Sequence, residues 1–225
     1  MLRTAMKWAA AIAVGGLAVS ACGSVQMGAA AITGSSRISS STLTSEVADL
    51  NSAYAADKTK GISPQKPAGQ EAQQVLTWLI LFRVYDQMAA QHGISVTPAQ
   101  AEAAQAQYKS QAAQSGVSLT QYLSAGGALP PDLQQQLFQA SAIQTALAAK
   151  LDGGTAPTTS AGQSAIASEL GHQQCLAAKS LGINVNPQYG EYDYSGYQVV
   201  AAPPTLAADP TPSASSTPAV LKPPC

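Results

Sequence analysis

Charge is scarce in this chain: only 10% of its residues are Asp, Glu, Lys or Arg, and the formal net charge is −1. Nucleic acid demands a concentrated basic footprint, and nothing here offers one, so a nucleic-acid partner is not expected. Histidine is scarcer still. His92 and His172 are the only two, beside three cysteines, Cys22, Cys175 and Cys225. No metal is expected, because a structural zinc site takes about four such ligands and these residues do not cluster. No Gly-rich phosphate loop, HExxH or GxSxG segment occurs, and so few scattered acids give no paired-carboxylate site. The expectation is a protein that is not an enzyme and holds no cofactor. Aromatics are also few, at 5%, while hydrophobic residues reach 46%, much of it Ala. Ala and Gln are good helix formers, and strand-favouring residues are sparse, so the expected fold class is mostly α.

The first segment has its own logic. Arg3 and Lys7 lead into an uncharged apolar run over residues 8–19. That is shorter than the roughly 20 residues a membrane-spanning helix needs, and it fits the apolar region of a signal peptide. Val19-Ser20-Ala21-Cys22 closes it with a branched residue, two small ones and a thiol. This resembles the lipobox of bacterial lipoproteins, in which a diacylglycerol is attached to the cysteine before cleavage in front of it. The resemblance implies a signal peptide over residues 1–21, lipid on Cys22, and a protein held at the extracytoplasmic face of the plasma membrane. Each buried methylene adds about 0.8 kcal/mol, so two or more acyl chains hold a protein stably.

Residues 22–28 read as a short tether. A small strand over 29–33 and a turn at Gly34-Ser35 come next, then Ser/Thr caps at 39–42 for a first helix. Leu43, Val47, Leu50 and Tyr54 fall at helical spacing there. Residues 58–69 contain Pro64, Pro67 and two glycines and read as a loop. The second helix, about 70–91, is apolar nearly all round and is expected at the centre. Thr97-Pro98-Ala99-Gln100 opens a third, weakly apolar helix expected at the periphery, and Ser118-Leu119-Thr120-Gln121 opens a short fourth. Pro130-Pro131 starts a fifth helix. Residues 155–163 read as a flexible linker, within a loosely structured stretch of about 153–163, before a sixth helix over 164–181. Extended chain follows over 183–185 and 189–200. Residues 201–225, rich in Pro, Ala, Ser and Thr, should be disordered.

From about residue 29 to 200 the chain resembles the N-terminal domain of the SurA and PrsA group of extracytoplasmic chaperones. The resembling segments are AAAITGSSRISSSTL, the long apolar helix running into MAAQHGISVTPAQAEAA, the helix pair VSLTQYLSAGG and LPPDLQQQLFQASAIQTALAAKL, and INVNPQYGEYDY. The resemblance implies a helical domain in which the opening strand pairs with the closing one. It also implies binding of unfolded or extended exported polypeptides, as a chaperone or holdase. The family's parvulin isomerase domain has no counterpart here, so isomerase activity is not carried over. The competing expectation is an accessory envelope lipoprotein with one dedicated partner.

Three groups of residues are singled out. Tyr189, Tyr192, Tyr194 and Tyr197 crowd one short stretch, either sealing a small sheet or forming a sticky surface for polypeptide. Trp78, more often a core residue than a cleft residue, joins them as a peptide-binding candidate. His172 and Cys175 stand three apart on one helix face, without the partners that a zinc site or nucleophile needs. With Cys22 assigned to lipid, Cys175 and Cys225 remain as a candidate disulfide in a compartment that permits one.

Overall fold

A computed structural model of the protein describes residues 28–65, 68–154 and 159–202. The expected signal peptide, the lipidation site Cys22 and the tail with Cys225 lie outside these residues.

The described residues open with a hairpin, β1 (Ala29–Thr33) and β2 (Ser36–Ser39), turned by Gly34 at φ +60°. Ser39 ends β2 and caps the next helix, its hydroxyl accepting from Thr42 N–H at 2.9 Å. Helices α1 (Ser40–Lys58), α2 (Glu71–His92), α3 (Pro98–Gln114) and α4 (Leu119–Gly127) follow. A 3₁₀ turn at Pro131–Leu133 leads into α5 (Gln134–Leu151), and α6 (Ser160–Leu181) completes the helices. The closing strands are β3 (Asn184–Val185), β4 (Glu191–Asp193) and β5 (Gln198–Val200). The fold is mostly α, with small antiparallel sheets at the two ends of the described chain.

Helix α2 is the centre of the packing. It touches α1, α5, α6, β1 and β5. Val75, Leu76, Ile80, Val84 and Met88 are all buried. Truncating one such Leu, Ile or Met to Ala costs roughly 2–5 kcal/mol, through lost transfer energy and the cavity left behind. Its Arg83 and Asp86 face solvent as a 3.9 Å ion pair, worth little at that exposure. Among the described residues no helix is long and apolar enough to cross a membrane.

Two expectations need correction. Helix α6 begins inside the stretch expected as a linker, because Thr159 caps it, accepting Gly162 N–H at 3.1 Å. The Ser/Thr-rich composition that suggested flexibility supplied a helix cap instead. Helix α3 is peripheral, as expected: it lies along α5 and α4 and buries only Ala101, Ala104 and Ala112. Small side chains permit that approach without a conspicuous apolar stripe. The end-to-end pairing is also only partly as expected. β1 sits between β2 and β3, with Ala31 opposite Val185 and Ile32 opposite Asn184. The last strand, β5, pairs instead with β4 in a separate hairpin.

Candidate functional site

The tyrosine-rich stretch folds into a closed clasp. Residues 186–190, NPQYG, form a turn in which Tyr189 N–H donates to the Asn186 carbonyl at 2.9 Å and Gly190 N–H to the Pro187 carbonyl at 3.2 Å. Asn186 anchors that turn to β1. Its backbone N–H donates to the Ala30 carbonyl at 2.9 Å and its side-chain amide to the Ala29 carbonyl at 3.0 Å. Its side-chain oxygen accepts Gln188 N–H at 3.1 Å. Gly190 then has φ +124°, and a Cβ there would stand 2.0 Å from the Val200 carbonyl oxygen. Only glycine fits where the hairpin closes.

The tyrosines follow from this geometry. Tyr192, on β4, is 9% exposed and meets Tyr194 edge to face at 5.0 Å between centroids. Burial pushes the Tyr192 phenol above its ordinary range, helped by the neighbouring Tyr194. Tyr194 lies past the end of β4, in the turn, so these two rings meet without sharing a strand. Tyr197 sits at φ +53° and its hydroxyl donates to the Gly171 carbonyl of α6 at 2.7 Å. Tyr189 is half-buried against the core. Three of the four rings are thus committed to sealing the hairpin onto the helices and onto each other.

Trp78 leads elsewhere. It stands on α2, stacked on Phe82 at 5.8 Å, with its indole N–H donating to the Gly127 carbonyl at 2.9 Å. That bond holds the end of α4 against α2 and leaves the indole in the wall of a cleft of about 460 Å³. Tyr108 of α3, Tyr122 of α4 and Leu137 of α5 form other walls. Capping boxes at Thr97/Gln100 and Ser118/Gln121 set the starts of α3 and α4, and so the positions of these rings. Tyr122 donates to Gln111 Oε1 at 3.1 Å, and Tyr108 packs on Phe138 at 5.9 Å. Burial raises the Tyr108 phenol pKa above its usual value.

The remaining wall is the loop after α1, through Ile62, Ser63 and Gln65. Buried Asp57 fixes its root, accepting Ser124 Oγ–H at 3.0 Å through its carboxylate and Ile62 N–H at 3.1 Å through its backbone carbonyl. Gln65 N–H donates to the Ala125 carbonyl at 2.8 Å. On the far side of Trp78 and Gly127 lies a second hollow of about 340 Å³, lined by Gln73, Gln74, Thr77, Tyr197 and Val199. Trp78 and Tyr197 are therefore brought to one surface, while Tyr192 is not. Among the described residues, neither cavity is lined by Asp, Glu, Lys, Arg, His or Cys. Such a lining offers apolar contact, aromatic faces, hydroxyls and amide hydrogen bonds.

Tyr108, Tyr122 and Leu137 were not anticipated as cleft residues. They lie far apart in the chain, and only the capping boxes hinted at how α3 and α4 would be placed. His172 is exposed on α6 and Cys175 is buried beneath it. Cys175 is disulfide-bonded and so has no thiol to offer a metal or substrate; the pairing expected for it, with Cys225, falls outside the described residues. Among the described residues, no group of three or more His, Cys, Asp or Glu could hold a metal ion. No protein-family model, curated protein or solved structure matches the chain.

Proposed function

We propose that this protein is a lipid-anchored, extracytoplasmic polypeptide-binding protein, chaperone- or holdase-like toward exported proteins and without isomerase activity. The observation that carries the reading is the uncharged cleft between Trp78, Tyr108 and Tyr122. Its volume of about 460 Å³ takes one or two large apolar side chains of an extended chain and leaves the client backbone at the rim. The lipobox over residues 19–22 and the likeness to SurA and PrsA domains agree with a site that meets unfolded chains outside the membrane.

One observation favours the second reading, an envelope lipoprotein with a single dedicated partner. Leu176 is the one large hydrophobic side chain, among the described residues, that is broadly exposed. A promiscuous holdase usually presents more apolar surface than that. The two readings differ in how many chains the cleft accepts.

Aggregation suppression separates them, using residues 23–225 and several unrelated unfolded secreted proteins. Protection of all of them near one-to-one ratio supports the holdase; protection of none moves the function to a dedicated partner. Gly126→Leu is the control variant. Gly126 lines the cleft, and a Cβ there meets nothing within 4 Å, so the added side chain fills space without strain. Protection should fall at least several-fold in this variant while its Tm stays within a few degrees of the parent.

A further inference from the structure

We propose that the chain's own proline-rich tail, residues 203–225, is a built-in occupant of the groove on either side of Trp78, and so competes with clients. The inference rests on the reading above, that this groove takes extended polypeptide, and names its resident ligand.

Position comes first. Strand β5 ends at Val200, and Gln198 and Val199 form part of the second hollow. The tail therefore leaves the fold within a few residues of the groove. Trp78 and Gly127 belong to both cavities, so a chain entering beside β5 continues past the indole toward Tyr122. Ten residues of polyproline II chain span about 30 Å, and the tail has more than twice that number.

Chemistry matches at each step. The tail carries Pro203, Pro204, Pro210, Pro212, Pro218, Pro223 and Pro224, and its only charged side chains are Asp209 and Lys222. Proline-rich chain is already extended, so it loses little freedom on docking, and its flat rings pack on aromatic walls. Here those walls are Trp78, Tyr122 and Tyr197. Such a chain also leaves its carbonyls and remaining N–H groups unpaired. The side chains of Gln70, Gln73 and Gln74 line the second hollow and offer amide groups to such a chain. With no charge among the described residues lining either cavity, a strongly charged segment would be desolvated without compensation, whereas residues 203–208 carry none.

Tethering does the rest. A ligand held by a few residues has an effective concentration in the millimolar range. Even weak docking then keeps the groove filled until a better client displaces the tail.

Trp78 reports on this directly, because it is the only tryptophan in a chain that starts at Gly23. Acrylamide quenching of Trp78 is compared between residues 23–225 and the variant P203S/P204S/L206S/P210S/P212S. The variant keeps Cys225 and alters no described residue. Quenching about twofold stronger in the variant, reversed by a synthetic peptide of residues 201–216, supports the proposal. Equal quenching in the two proteins, with no response to the peptide, overturns it. An unfolded client added to the variant tells the two claims apart. If the client protects Trp78 and the peptide does not, the tail proposal fails and the polypeptide cleft stands. If neither protects it, both fail.

Discussion

The chain builds two aromatic regions in opposite ways. In the clasp over residues 186–200 the rings come from one short run of sequence and spend themselves on their own neighbours: Tyr192 is buried, Tyr194 meets it edge to face, and Tyr197 is bonded to α6. In the cleft the rings come from three helices and are held apart by the backbone: Trp78 by Gly127, Tyr122 by Gln111. Density in sequence produced closure, and separation in sequence produced an opening. Local rings can reach one another and exclude water cheaply. Distant ones are placed by helix packing, which leaves a space when the residues between are small, as Gly126, Gly127 and Ala125 are.

If this contrast is right, changes in the clasp act on stability and changes in the cleft act on binding. The largest effect belongs to Gly190→Ala. The new methyl meets the Val200 carbonyl and the backbone keeps its unfavourable φ, so a loss of about 3 kcal/mol or more in chemical denaturation is expected. An unchanged midpoint would mean that the clasp is not a stabilising seam. Tyr197→Phe removes one hydrogen bond to Gly171 and should cost about 1 kcal/mol.

Alkaline titration gives a further test. Burial and the neighbouring Tyr108 outweigh the hydrogen bond from Gln144, and the Tyr85 phenol is pushed up to about 12. The unfolded phenol ionises near 10. Tyr85 therefore stabilises the fold fully below about pH 10, and that stability is lost as the pH rises from about 10 to 12. Tyr85→Phe should flatten the alkaline limb of a Tm-against-pH curve.

The smallest effect is at Glu46, away from both regions. Burial, then Asp132 and Asp49, raise its carboxyl pKa. The folded protein holds this proton to higher pH than the unfolded chain, so the ionised form is a mild cost at neutral pH that disappears on acidification. Glu46→Gln should raise stability slightly at pH 7, by under about 0.5 kcal/mol given its solvent screening, and not at all below about pH 4. A destabilised E46Q at pH 7 would show the sign to be wrong.

Periodicity and capping made much of the fold legible. The central α2 announced itself by apolar residues on every side, and Thr97-Pro98-Ala99-Gln100 and Ser118 to Gln121 marked two helix starts that the structure keeps. The start of α6 was misplaced because a Ser/Thr-rich segment reads equally as linker or cap, and tertiary packing decides. Trp78 was singled out, but its partners were not, since nothing local links residue 78 to residues 108 and 122. The NPQYG segment was legible as a motif and not as a clamp. Its role depends on Asn186 reaching β1, more than 150 positions earlier in the chain.

The most direct test places a photo-crosslinking residue at Val117, in the cleft wall, and in a second protein at Ser195, on the exposed tip of the clasp. Each is irradiated with the same unfolded secreted client. The account predicts adducts from position 117 and few or none from 195, with the first set lost when Gly126→Leu is added. Adducts from 195 and none from 117 would contradict it and move the binding surface to the tyrosine hairpin.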